Sequence, residues 1–225
     1  MWQLYQYPLC PFSRKVRLLL GEKGVGYDLV RELPWTRRDE FIDLNPAGQT
    51  PVMVAADRTA QPLIDSAAIC EYFEETVDKA AMLNGTAANR AEIRRLVAWF
   101  DGQFFRDVTE PLLEERMKKR LIPGSPSPSA AAMREAMKGA VAHLDYTDYL
   151  LGHRKWLAGA TMSLADLAGA AQISVADYLG GIDWRNHEET ARWYRGLKSR
   201  STVRAILAER MDGILPPKHY EDPDF

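Results

Sequence analysis

The chain opens with a strand-like pattern of apolar residues that gives way to a helical one. The strand formers Leu4, Tyr5 and Tyr7 fall within residues 3–7, and Pro8 and Pro11 break the pattern. Apolar residues return at helical spacing over residues 16–20, and apolar and polar side chains alternate over residues 27–33. Because a helix separates the two predicted strands, we expect them to pair in parallel.

Two further strands and a helix complete this first region. Residues 52–54 and 62–64 are predicted strands, the second of them antiparallel, and Asp65 with Ser66 then caps an amphipathic helix. The order βαβ followed by ββα is that of a thioredoxin-like domain, which we place at residues 1–78.

The rest of the chain has helical periodicity. We predict a linker at residues 79–89 and an all-helical domain at residues 90–211, so the fold class is α/β followed by all-α. Pro111 is expected to kink or interrupt the first helix of this domain. The helix after the Pro/Ser-rich segment is predicted to carry on its inward face Met133, Met137, Val141, Leu144, Tyr149 and Leu151.

Two segments of the second half have distinctive sequences, a helix start at Ser163 and the C-terminal tail. Ser163, with Asp166 three residues later, predicts a capping box at the start of a buried apolar helix over residues 164–175. Residues 212–225 contain three prolines and form an acidic, aromatic tail. Such a tail suits protein recognition, but it equally suits a frayed terminus on the surface, and the pattern leaves both open.

Composition narrows the functional class. The 225 residues are 46% hydrophobic and 27% charged, which is ordinary for a globular protein. A formal net charge of -2 provides no overall basic field for nucleic acid or for an anionic membrane. No apolar run is long enough for membrane insertion, and two widely spaced cysteines with no secretory signal favour the cytoplasm. The four histidines lack metal-ligand spacing, so we expect no metal site.

The turn before the first helix carries candidate chemistry. Cys10 and Ser13 lie where a helix N-terminus presents free N–H groups, which favours a thiolate or a bound anion. An ordinary buried cysteine beside a capping serine fits the same pattern, so the residues alone leave the two interpretations open.

Three motifs in order carry a family resemblance. Residues 10–13, residues 45–51 and the Asp65–Ser66 pair resemble the glutathione-transferase superfamily. The resemblance implies that Thr50, before Pro51, holds the cysteinyl part of glutathione through its backbone. It also implies that Asp65 and Ser66 hold the γ-glutamyl end. The activating residue would be Ser13 in serine-type members or Cys10 in omega-like members.

A second resemblance covers nearly the whole chain. Residues 5–16, 34–41, 177–184 and the tail resemble bacterial glutathione-transferase-like regulators of cell division, which bind the tubulin homologue FtsZ. This resemblance implies an FtsZ-binding cytoplasmic homodimer that acts at the division site and tunes filament curvature and constriction. It implies no required cofactor, although glutathione binding remains possible. The partner-facing residues would be Trp35, Tyr220, Asp222, Asp224 and Phe225.

Two other functions stay open at this point. One is a glutathione transferase or glutathione-dependent thiol reductase that uses Cys10 or Ser13. The other is a transcription-associated scaffold with the same fold. Trp35 has two structural alternatives as well: it either folds back on the sheet or is displayed at the surface.

Overall fold

The structure is a computed structural model that describes residues 1–57 and 60–222. It separates into two compact units, Met1–Met82 and Leu83–Phe225. In the described residues, no helix combines the length and the apolar character that a membrane crossing requires.

The first unit is a four-stranded sheet covered by helices. Its elements are β1 (Trp2–Gln6), α1 (Pro11–Lys23), β2 (Tyr27–Arg31), a 3₁₀ turn (Pro34–Thr36), α2 (Asp39–Leu44), β3 (Val52–Ala55), β4 (Leu63–Ile64) and α3 (Ser66–Thr76). The strand order is β2-β1-β3-β4, with β1 and β2 parallel and the other pairs antiparallel. The predicted βαβ and ββα order of a thioredoxin-like domain is confirmed.

The two faces of the sheet follow from alternation along β1. The Trp2 ring meets Phe73 of α3 edge-on at 5.6 Å, whereas the Tyr5 ring stacks on Phe41 of α2 at 5.8 Å. Because side chains alternate across a strand, one face of β1 packs on α3 and the other on α2. Val52 and Val54 complete the core on the α2 side.

A buried lysine ties α1 to the segment that follows α3. The Lys23 ammonium donates to the carbonyl oxygens of Val77 (2.7 Å) and Lys79 (3.3 Å) and lies 3.0 Å from a carboxylate oxygen of Glu74. The other carboxylate oxygen of Glu74 accepts from the backbone N–H of Met82 at 2.9 Å. The chain is therefore held to the first unit as far as residue 82.

The second unit begins with one long helical run over residues 87–121. It consists of α4 (Ala87–Ala98), a π-helical stretch (Trp99–Thr109), α5 (Glu110–Leu113), a second π-helical stretch (Glu114–Lys118) and α6 (Lys119–Leu121). Pro111 lies in α5, directly after the first π-helical stretch. The expected interruption is not observed, because the helical run continues past the proline, and a kink at Pro111 stays a prediction.

Four α-helices and a 3₁₀ turn complete the described part of the second unit: α7 (Ala130–His153), α8 (Leu164–Tyr178), the 3₁₀ turn (Trp184–Asn186), α9 (Glu188–Lys198) and α10 (Ser201–Leu207). Every residue of α8 is buried. The predicted capping box is present, since Asp166 accepts from the Ser163 N–H at 2.8 Å. Asp166 also accepts from Leu157 N–H and from the indole N–H of Trp193, both at 3.0 Å, so one carboxylate joins three segments.

The inward face of α7 agrees with the predicted one at Leu144 and Leu151, which are buried, and differs from it elsewhere. Met137, Val141 and Tyr149 are exposed, and the buried positions include Ala136, Ala140, His143, Leu144, Thr147, Leu150 and Leu151. A Cβ added at Gly139 would lie 3.1 Å from the Asp107 carbonyl oxygen. The helical run over residues 87–121 thus approaches α7 closely at Gly139, where the small side chains of Ala136 and Ala140 are buried and those of Met137 and Val141 are exposed.

Candidate functional site

Cys10 forms the N-cap of α1 at the end of the turn that follows β1. Its backbone is extended, and its Sγ accepts from the Ser13 N–H at 3.4 Å. Pro11 occupies the first helical turn, where a residue without an N–H is well tolerated. The sulfur therefore takes the place that a serine or aspartate oxygen usually has at a helix start.

Thr50 reaches the same sulfur from a distant part of the chain. The Thr50 hydroxyl donates to Cys10 Sγ at 3.3 Å. The Cys10 thiol in turn donates to the Thr50 carbonyl oxygen at 3.5 Å. The peptide bond between Thr50 and Pro51 is cis. The structure thus brings together Cys10, Ser13 and Thr50.

The environment of this cluster favours a protonated thiol. Cys10 is 2% exposed, and burial raises the pKa of its thiol, although hydrogen bonds from Ser13 and Thr50 act in the opposite direction. Tyr7, buried next to it, also has a raised pKa because of burial and of the nearby Cys10. Ser13 is completely buried as well. A buried neutral thiol is a poor nucleophile.

Asp65 and Ser66 lie at the start of α3. Asp65, with a positive φ of 77°, caps the helix through one carboxylate oxygen, which accepts from Ala67 N–H at 2.7 Å and Ala68 N–H at 3.4 Å. Ser66 is buried, whereas Asp65 is exposed. Their described contacts belong to helix capping, and their role in glutathione binding stays a prediction.

Trp35 lies in the 3₁₀ turn after β2 and is half-buried. Its ring meets Tyr7 edge-on at 5.4 Å. The side chain thus folds back against the turn that carries Cys10 while part of it remains exposed. Its contact with a partner stays a prediction.

The segment after α10 is anchored to the helical unit. We call residues 211–222 the C-terminal strap. At its start, the Tyr178 hydroxyl donates to the Ile214 carbonyl at 2.7 Å and accepts from Met211 N–H at 3.1 Å. Tyr220 is 0% exposed and packs edge-on against Tyr178 at 5.0 Å. A frayed terminus is therefore excluded as far as residue 222.

The predicted partner residues of the tail occupy different environments. Tyr220 is buried, with its ring packed against Tyr178, and its predicted contact with a partner stays a prediction. Asp222 is exposed, and its carbonyl oxygen accepts from Lys198. Asp224 and Phe225 lie outside the described residues.

A buried polar cluster holds the end of the strap. Asp177, fully buried in α8, accepts from the Trp184 indole N–H at 3.0 Å and from His219 Nε2 at 2.8 Å through one oxygen. The ammonium of Lys198 donates to the carbonyls of His219 (3.2 Å) and Asp222 (3.1 Å). These contacts join α8, α9 and the strap.

The two basic groups of this cluster are perturbed in opposite directions. Burial lowers the pKa of Lys198 to about 8, against the attraction of Asp177 and Asp222. The hydrogen bond to Asp177 raises the pKa of His219 above its ordinary value. The sequence carries one signal for this cluster: Asp177 is an acid in the last turn of a largely apolar helix, and a buried carboxylate requires partners.

Across the described ranges, 1–57 and 60–222, no group of three or more His, Cys, Asp and Glu side chains is placed to hold a metal ion.

Comparison with known proteins places the chain in a family. A model of the glutathione S-transferase N-terminal domain matches residues 9–76. Over 223 residues, 99% of the chain and 97% of the relative, the sequence is 43% identical to "FtsZ-localized protein A" of Caulobacter vibrioides. The chain belongs to the glutathione S-transferase superfamily.

Solved structures agree with this assignment. The crystal structure of a glutathione S-transferase from Rhodospirillum rubrum matches with a TM-score of 0.95 and 43% identity, covering 100% of both chains. The structure of FzlA from C. crescentus matches with a TM-score of 0.96 and 42% identity, covering 100% of this chain and 99% of that one. Sequence and fold thus agree on the family. Some of its members are named after the glutathione S-transferase reaction, and others are named after FtsZ.

Proposed function

We propose that this chain binds FtsZ filaments and modulates their curvature and constriction, using the transferase fold as a binding scaffold. The observation that carries the proposal is the 43% identity to FtsZ-localized protein A over 99% of the chain. The strap and the residues beyond it provide the partner contact, and the protein acts as a cytoplasmic homodimer at the division site. Two copies of the contact in one dimer would let it bridge filaments through avidity.

The environment of Cys10 supports a scaffold without conjugating activity. A transferase that uses a thiol needs a thiolate at an accessible position, whereas Cys10 is 2% exposed and has a raised pKa. Ser13 is also completely buried. The Thr50 carbonyl, a backbone group in the glutathione-type turn, already faces the Cys10 thiol at 3.5 Å.

Co-sedimentation with FtsZ polymerised by GTP tests the proposal. The intact chain is compared with a chain that ends at Asp222, which lacks residues 223–225 and keeps the contacts of His219, Tyr220 and Lys198. A cut after Pro217 would remove His219 and Tyr220 and leave Asp177 and Lys198 buried without those partners. Circular dichroism and light scattering control for folding and for dimer formation.

We expect the intact chain to sediment with FtsZ and to change filament curvature in electron micrographs, and the shortened chain to sediment less. Failure of the intact, folded chain to sediment with FtsZ contradicts the proposal. Capture of RNA polymerase in its place would favour a transcription-associated scaffold.

A glutathione transferase is the second candidate, and a specific observation favours it. A structure 43% identical over the whole chain is that of a protein described as a glutathione S-transferase. Calorimetric titration with glutathione and a conjugation assay with an aromatic electrophile test this function. Turnover that is lost in Cys10→Ala or Ser13→Ala and kept after removal of residues 223–225 would favour the enzyme.

A further inference from the structure

The C-terminal strap holds one large apolar side chain away from the protein. Leu215 is 87% exposed, the highest value among the large hydrophobic side chains of the described residues. Its neighbour Ile214 is 4% exposed. Single exposed apolar residues are common, so the exposure of Leu215 acquires meaning only from the way its backbone is held.

The backbone before Leu215 is fixed by buried contacts. The Tyr178 hydroxyl bonds to Ile214 and Met211, and Met211 and Ile214 pair as an isolated antiparallel bridge. The Ile214 N–H donates to the Met211 carbonyl at 3.1 Å. Leu215 thus follows a tight turn that is secured on the helical unit.

The backbone after Leu215 is fixed as well. Pro216 and Pro217 follow directly, and each proline ring restricts φ to a narrow range. Beyond them, His219 bonds to Asp177, and Tyr220 is buried against Tyr178. Because the backbone on both sides of Leu215 is already held, a partner that covers this side chain need not order the segment, which lowers the entropic cost of binding.

The charge of the surrounding segment restricts the partner. Within the described part of the strap, residues 211–222, the sequence has three acidic residues and one lysine. Glu221 forms an ion pair with Arg210, and Lys218 is exposed next to the two prolines. An apolar anchor within an acidic segment matches a partner surface whose apolar socket is bordered by lysine or arginine side chains.

We propose that Leu215 is the apolar anchor of the partner contact and inserts into an apolar socket with a basic rim on FtsZ. This inference rests on the proposed function and adds a residue that lies outside the last residues of the tail. The strap sets the position and direction of Leu215, and the acidic residues around it orient the partner.

Matched substitutions test the anchor in the intact chain. Leu215→Thr removes part of the apolar side chain at an exposed position, Leu215→Met keeps an apolar one, and Leu29→Thr makes the same change at another exposed leucine, 45% exposed on β2. Each variant is titrated against GTP-polymerised FtsZ in co-sedimentation. Circular dichroism and light scattering establish that fold and oligomeric state are kept.

We expect Leu215→Thr to weaken FtsZ binding about tenfold or more, as truncation of a binding anchor does. Leu215→Met and Leu29→Thr should bind within about twofold of the intact chain, since neither removes the anchor. If the intact chain binds FtsZ and Leu215→Thr binds equally well, the role of Leu215 as anchor is contradicted and the proposed function is not. If the intact chain does not sediment with FtsZ, both the proposed function and the role of Leu215 are contradicted.

Discussion

Cys10 should react with thiol reagents far more slowly in the native protein than in the unfolded chain. A cysteine with its ordinary pKa of 9.0 is about 1% thiolate at pH 7, and burial raises the Cys10 value further. The side chain is 2% exposed, so the sulfur must also wait for a local opening of the structure. An opening that costs about 3 kcal/mol lowers the rate about 100-fold.

The measurement uses a chain with a single thiol. Cys70 is 0% exposed, and Cys70→Ser leaves Cys10 as the remaining cysteine. The release of thionitrobenzoate from Ellman's reagent is followed between pH 6 and pH 9, in native buffer and in urea. We expect native rates at least about 100-fold below those in urea. We also expect a rise of about tenfold per pH unit without a plateau, because the thiol pKa lies above the measured range.

Two results would refute this reasoning about Cys10. A native rate equal to that in urea would mean that the sulfur is accessible. A plateau near neutral pH would mean a stabilised thiolate, which is the property that a thiol-dependent reductase requires. Either result would shift the preferred function toward the enzyme.

Two further predictions concern the helical unit. Asp166→Ala leaves the N–H groups of Leu157 and Trp193 buried without their acceptor, so we expect a loss of about 3 kcal/mol or more in urea unfolding. Ser163→Ala, which removes one cap hydroxyl, should cost only about 0.5–2 kcal/mol, and equal losses would contradict the assigned role of the carboxylate. His219, whose folded pKa is raised above 6.5, stabilises the protein fully below pH 6.5 and loses that contribution as pH rises through the folded pKa. The intact chain should therefore exceed His219→Gln in free energy of unfolding at pH 5.5, and this difference should become smaller toward pH 9. A difference that grows with pH would mean that the folded pKa of His219 is not raised.

Local patterns predicted the first unit because each of its elements has a short-range cause. Strand-forming residues over 3–7 predicted β1, alternation over residues 27–33 predicted β2, and Asp65 predicted the start of α3. The Ser163–Asp166 capping box was equally local, since both partners lie within one helical turn. The meeting of Cys10 with Thr50, forty residues away, was implied only by family resemblance.

Two features of the helical unit, the buried face of α7 and the continuous helix around Pro111, could not be predicted from local patterns because they depend on packing and backbone geometry. Met137 and Val141 have helical spacing, but the close approach at Gly139 favours small side chains such as Ala136 and Ala140 on the nearby part of the inner face of α7. Pro111 is a helix breaker by local rules, yet the preceding π-helical stretch accommodates it.

The strap could not be predicted from its own residues. Its anchors are Tyr178 in α8 and Lys198 in α9, which are separated from it in sequence. The acidic composition of the segment suggested solvent, whereas the buried Tyr220 depends on a surface that only the folded helical unit provides.

The contacts of Lys23 fix where the first unit could be cut for separate expression. A fragment that stops at residue 78 would lose the Lys79 carbonyl that Lys23 binds and the Met82 N–H that Glu74 accepts. Two buried charged groups would then face solvent at the fragment's new end. A fragment that extends through Met82 keeps both partners, so expression trials of the isolated sheet unit should begin with that boundary.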